Sequence, residues 1–253
     1  MDIPIFPVFR VFKFLTLYFG VPEMFVQTKF TKATSFAVVA ALCAAASPAL
    51  ADGDGEEEHF DIGIWNNAGQ LQSGGWDHDT ESLEVDSLRV FEAHFGEDKE
   101  FPFAIDEPGV GGVAADLGLT EGATIGLNLV AGLGVWNGAG FDAAATSMTV
   151  DFGPQSVTSG SGGILDFLVT DDYDYHPIFA IDSAANNGAY LLEFTATMEG
   201  MNSSDSFWIV FNLGLDDEVF EESVEWVEGN LVPAPGALAI LSIAGLAGRR
   251  RRG

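Results

Sequence analysis

Between residues 59 and 213 the apolar positions come in short alternating runs, broken at close intervals by Gly, Asn and Asp. The first run is the clearest. In His59-Phe60-Asp61-Ile62-Gly63-Ile64-Trp65 the apolar side chains recur with period two. An extended chain would set Phe60, Ile62 and Ile64 toward a core and His59 and Asp61 on the opposite face. Asn66-Asn67-Ala68-Gly69 has the composition of a turn, and residues 70–74 read as the returning strand of a hairpin. Further strands are predicted at 88–95, 124–129, 147–152, 164–170, 190–198 and 207–213. Residues 106–120 are rich in Gly, Pro and Asp and read as a long loop. Residues 218–228 (EVFEESVEWVE) place apolar side chains at 219, 220, 224 and 227, a helical spacing. No fixed-period repeat occurs, which argues against solenoids and propellers. The predicted fold class is all-β, an antiparallel β-sandwich with one short C-terminal helix.

Two terminal segments depart from this pattern. Met24 opens a plausible export signal, with Lys29 and Lys32 as the basic region and residues 35–46 as the apolar region. Ala49-Leu50-Ala51 fits a small-x-small cleavage site for signal peptidase, so the mature chain is expected to start at Asp52. Residues 1–23 then read as an over-extended start, 24–51 as a signal peptide, 52–230 as the domain and 231–253 as a C-terminal signal. That last segment runs Leu231-Val232-Pro233-Ala234-Pro235, then the small and apolar residues 236–248, then Arg249, Arg250, Arg251 and Arg252. Thirteen residues as a helix cover roughly 20 Å, against a hydrocarbon core of about 30 Å. Such a span is a poor permanent anchor and a good transient one. The arginines would hold the tail at the cytoplasmic face and leave the domain outside.

Val232, Pro233, Pro235, the apolar run and the arginine cluster resemble the PEP-CTERM sorting signal, with Ala234 where the usual pattern has glutamate. The resemblance covers about 22 residues. It implies retention in the inner membrane, then processing by an exosortase-type enzyme and transfer to the cell surface or extracellular matrix.

Charge sharpens the picture of the domain. Between Asp52 and Asn230 only Arg89 and Lys99 are basic, against 36 carboxylates, a formal charge of −34. Such a surface repels nucleic acid and anionic lipid, and suits high salt or divalent cations. Abundant aromatic and β-branched residues argue against disorder. The sole cysteine, Cys43, lies in the signal peptide, and Ala40-Ala41-Leu42 before it does not make a good lipobox. The mature domain therefore holds no disulfide, no thiolate metal site and no cysteine nucleophile.

All four histidines lie in the domain beside carboxylates: His59 with Asp61, His78 between Asp77 and Asp79, His94 near Glu92, and His176 after the run Asp171-Asp172-Tyr173-Asp174-Tyr175. Imidazole nitrogen with carboxylate oxygen is a reasonable donor set for Zn²⁺, and a surface or hydrogen-bonding role for each histidine is the alternative. The acidic runs at 52–58, 171–174 and 216–218 offer loose Ca²⁺ sites or solvated loops, and none completes an EF-hand. His-x-Asp-Ile at 59–62, His176-Pro177-x-Phe179, Gly188-Ala189-Tyr190-Leu191-Leu192 and Ser204-Asp205-Ser206-Phe207-Trp208-Ile209-Val210-Phe211-Asn212 resemble a zinc-repressor-regulated subgroup of PEP-CTERM proteins. That resemblance favours zinc as the metal and implicates His59, Asp61 and His176; His78 and His94 are added from composition alone.

Catalytic motifs are missing. There is no His-Glu-x-x-His. Ser161 in Ser159-Gly160-Ser161-Gly162-Gly163 lacks the first glycine of a nucleophile elbow and reads as a flexible turn. The expected function is a non-enzymatic structural or binding role at the cell surface or in the matrix. The alternative is a secreted zinc-binding, metal-handling protein. A secreted hydrolase has the least support.

Overall fold

The computed structural model describes residues 60–233. The predicted hairpin is present as β1 (Asp61–Asn67) and β2 (Gln70–Asp77), paired from Asp61↔Trp76 to Asn67↔Gln70. Ala68 and Gly69, at φ 52° and 91°, make the two-residue turn, whose left-handed conformations match the twist of the flanking strands. Asn66 Oδ1 accepts the Gly69 N–H at 2.7 Å. Ile62 and Ile64 are buried as predicted. Asp61, predicted for the opposite face, is buried as well, because that face is also covered.

Part of the cover comes from a strand that the sequence reading placed in a loop. Within residues 106–120, β6 (Val110–Val113) runs parallel to β1, with Ile62 paired to Val110. Val-Gly-Gly-Val does not alternate, its two glycines lower its strand propensity, and they mark close approach of other groups. A Cβ at Gly111 would lie 2.6 Å from His78 Nε2, and one at Gly112 would lie 2.1 Å from Leu117 Cδ1. On the other side of β6 lies β13 (Asp172–Tyr175), antiparallel, with Asp174 opposite Gly111. The acidic run at 171–174 is therefore largely strand rather than solvated loop: Tyr173 points inward and is buried, while Asp172 and Asp174 face outward.

With β3 (Ser82–Val85) these strands form a sheet of order β13-β6-β1-β2-β3. A second sheet has the order β11 (Gln155–Thr158), β10 (Met148–Phe152), β14 (Ile178–Ile181), β5 (Ala104–Ile105). The third runs β12 (Gly163–Leu168), β7 (Thr124–Leu129), β15 (Gly188–Thr197), β16 (Phe207–Leu213), β4 (Val90–His94). On it, β8 (Gly134–Trp136) pairs with β15, and β9 (Phe141–Ala143) pairs with β8. Pairing is mostly antiparallel, but β6 with β1 and β4 with β16 are parallel. The purely antiparallel expectation gives way to mixed sheets at these two places. In β16 the reason is visible: Phe-Trp-Ile-Val-Phe-Asn-Leu is buried at every position, as a strand with cover on both faces must be.

One buried cluster takes residues from all three sheets, among them Ile62, Ile64, Val150, Phe179, Leu192 and Phe207. A second cluster lies where α1 (Asp217–Asn230) meets the outer face of the third sheet: Val90, Leu191, Trp208 and Val210 against Phe220, Val224 and Val227. Each such side chain contributes about 1.5–3 kcal/mol on burial. The helix carries Asp217 and Glu218 in its first turn, where the dipole favours them. It ends at Leu231, with Pro233 just beyond unable to continue it. Val232 packs against the second cluster and its N–H donates to the Val227 carbonyl at 3.3 Å. No helix among the described residues is long and apolar enough to cross a membrane. The predicted signal peptide with Ala49 and Ala51, His59, Pro235, the span at 236–248 and Arg249 to Arg252 lie outside the described residues.

Candidate metal centre

Four chain segments meet at one end of the first sheet. Antiparallel pairing sets Asp61, the first residue of β1, opposite Trp76 of β2, so His78, just past the end of β2, comes back beside it. Parallel pairing of β6 with β1 brings in β13, whose Asp174 stands opposite Gly111. Side chains on alternate residues of a strand share a face, so His176, two residues on, follows Asp174. The loop before β6 adds Glu107.

The distances are short. His78 Nε2 lies 2.5 Å from Asp61 Oδ2 and 3.5 Å from Asp174 Oδ1. His176 Nε2 lies 2.8 Å from the same Asp174 oxygen. On its other side, His176 Nδ1 sits 3.1 Å from the Asp106 carbonyl and 3.4 Å from Glu107 Oε1. The Gly109 N–H donates to Asp61 Oδ1 at 2.7 Å and to Glu107 Oε2 at 3.1 Å. One ligand atom each from Asp61, His78 and Asp174 lies within 4.8 Å of the others, and this group could hold a metal ion.

Glycines make the room. A Cβ at Gly109 would fall 2.7 Å from Asp61 Oδ1, and one at Gly111 would displace the His78 ring. Two buried donors on the flanking strands, Trp76 Nε1 and the Tyr173 hydroxyl, have no hydrogen-bond partner among the described residues. A group left so ordinarily costs about 1–3 kcal/mol.

Electrostatically the cluster is short of positive charge. Asp61 is only 4% exposed, and a buried carboxylate is tolerated only when paired or ligating. Burial, and then the neighbouring Asp61 charge, raise the pKa of Glu107. Burial pulls His176 down, but Glu107, the Asp106 carbonyl, Asp174 and Asp61 outweigh it, and its pKa is raised. Asp61, Glu107 and Asp174 thus surround two imidazoles, and a cation among them relieves the excess of carboxylate.

Of the sequence-predicted ligands, Asp61, His78 and His176 come together here. His59 is outside the described residues. His94 lies elsewhere: it ends β4 in the third sheet, and its ring meets the Phe220 ring edge-on at 4.8 Å and 68°. Its strand register turns it toward α1 rather than toward the other histidines. Ser161 is placed in the turn between β11 and β12, in contact with Thr158 Oγ1 and the Gly162 carbonyl. The sequence reading counted Asp174 only within an acidic run that offers a loose Ca²⁺ site or a solvated loop, and it missed Glu107, Gly109 and Gly111. The alternation Asp172-Tyr173-Asp174-Tyr175 carried a signal for Asp174, since period two puts Asp174 and His176 on one face. Nothing local marked Glu107, which reaches the cluster only through tertiary packing. No protein-family model, curated protein or solved structure matches this chain.

Proposed function

We propose that this is an exported cell-surface or matrix protein whose domain binds a divalent metal ion through Asp61, His78 and Asp174, in a binding rather than a catalytic role. The observation that supports the metal reading is the convergence of those three side chains, from β1, the end of β2 and β13, within 4.8 Å. The donors suit Zn²⁺ better than Ca²⁺, which takes six to eight oxygens. Export and sorting rest on the membrane argument: a basic and apolar leader with a small-x-small site, and a short apolar tail closed by four arginines that resembles the PEP-CTERM signal. Signal peptidase, an exosortase-type enzyme and, transiently, the inner membrane are the partners in this reading. The sheets read as a sandwich, supported by the buried cluster that all three share.

The test is metal analysis of the full chain, purified without a histidine tag and exposed to Zn²⁺. One ion per chain is expected, falling away in Asp61→Asn and Asp174→Asn. A metal-free wild-type chain after exposure would sink the reading.

A further inference from the structure

We propose that His176 is the fourth ligand, closing a shell of two imidazole nitrogens and two carboxylates that selects a Zn²⁺-type ion over Ca²⁺ and Mg²⁺. The inference rests on the metal reading above and deepens it.

The argument starts from what His176 Nε2 faces. Its other nitrogen, Nδ1, points at the Asp106 carbonyl at 3.1 Å, with Glu107 Oε1 close by. Carbonyl and carboxylate oxygens both accept, so Nδ1 carries the hydrogen. Metal-bound histidines usually show this arrangement, in which an outer partner on one nitrogen fixes the tautomer and leaves the other nitrogen's lone pair for the ion. That lone pair is then directed at Asp174 Oδ1, 2.8 Å away. In the metal-free chain a proton on Nε2 bridges these two atoms, and a bound cation would take that proton's place. His78 Nε2 stands between Asp61 Oδ2 at 2.5 Å and the same Asp174 oxygen at 3.5 Å.

Scale agrees. Ligand atoms about 2.05 Å from a tetrahedral ion stand about 3.3 Å from one another. The separations of 2.5 and 3.5 Å among Asp61, His78 and Asp174 lie within about 1 Å of that spacing, while His176, 2.8 Å from Asp174 but outside the group whose atoms all lie within 4.8 Å, has to swing further toward the ion. The shifts fall mainly on His78, Asp174 and His176, whose side chains are 35–51% exposed. Asp61, fixed by the Gly109 N–H, is the anchor. Ca²⁺ needs six to eight oxygens, and Mg²⁺ an octahedron that usually retains water. Two imidazoles match neither, and match Zn²⁺ and its tetrahedral analogue Co²⁺.

The experiment titrates the full-length chain with Co²⁺ and Zn²⁺. Wild type is expected to show the intense visible bands of four-coordinate Co²⁺, and Ca²⁺ in excess is expected not to displace the ion. His176→Gln is expected to weaken Zn²⁺ binding by about 100-fold or more, beyond the 10–100-fold typical of an outer partner, with loss of those bands. His176→Cys is expected to keep binding and add thiolate-to-cobalt charge transfer in the near ultraviolet, which a residue acting through folding alone would not produce. His94→Gln is expected to change nothing. If His176→Gln binds as wild type does, or His176→Cys shows no charge transfer, the fourth ligand is lost while the three-residue site stands. Displacement by Ca²⁺ overturns the selectivity. No binding to wild type overturns the metal reading itself.

Discussion

Two adjacent glycines in β6 separate binding from folding. At Gly111 an added methyl meets chiefly the end of the His78 side chain, a group 38% exposed, and touches the buried Trp76 ring only at 3.2 Å. At Gly112 it meets Leu117 Cδ1 at 2.1 Å, inside the buried core. Gly111→Ala is therefore expected to displace a ligand, weakening Zn²⁺ affinity roughly 10–100-fold with little change in the melting temperature of the metal-free protein. Gly112→Ala is expected to cost about 1–3 kcal/mol through overpacking. Isothermal titration and denaturant melts of both variants check the contrast, and loss of stability in both would refute it. Neither role is legible in the string Val-Gly-Gly-Val, because the crowding atoms come from residues 33 positions earlier and five positions later.

Elements whose partners are local were the readable ones. The β1–β2 hairpin needs only its own alternation and a two-residue turn. Helix α1 needs only its apolar spacing, and it appears within a few residues of the predicted span. That helix ends badly in one respect. Its last turn has no basic residue, and Glu228 sits there against the negative end of the dipole. Burial, and then Glu225 three residues before it, raise the pKa of Glu228. The folded state thus holds this proton more tightly than the unfolded chain does. Stability from it is present below the unfolded value and is lost as pH rises through the folded one. Glu228→Gln is expected to melt higher than wild type at about pH 7 and equally at about pH 4. Thermal melts at both values test it, and an equal gain at both would exclude titration of Glu228 as the cause.

For the whole molecule, excess negative charge and the proposed metal centre act on the same balance. A formal charge of −34 between Asp52 and Asn230 repels itself in the compact state. Raising the salt from about 0.01 to 1 M shortens the Debye length from about 30 to 3 Å, so the melting temperature is expected to climb steadily with NaCl. A bound ion stabilises differently. It ties β1, the end of β2 and β13, more than 100 residues apart in sequence, and at about 100 times its dissociation constant adds about 2.7 kcal/mol. A saturable rise in melting temperature with micromolar Zn²⁺ is expected, reversed by EDTA and absent in Asp174→Asn. A rise shared equally by Na⁺ and Zn²⁺ at matched ionic strength would reduce the metal to screening.

From the sequence alone came the class of the fold, the first hairpin, the helix, the acidity and the presence of ligand-type residues, because alternation, turn chemistry and charge are properties of neighbours along the chain. Three of the five predicted ligand positions, Asp61, His78 and His176, meet at the centre; His94 does not, Asp174 comes from the acidic run, and Glu107 had to be added. Which histidines meet depends on sheet order, and sheet order depends on β6 lying parallel between β1 and β13. That pairing is chosen by long-range packing around two glycines of low strand propensity, and only the tertiary structure decides it.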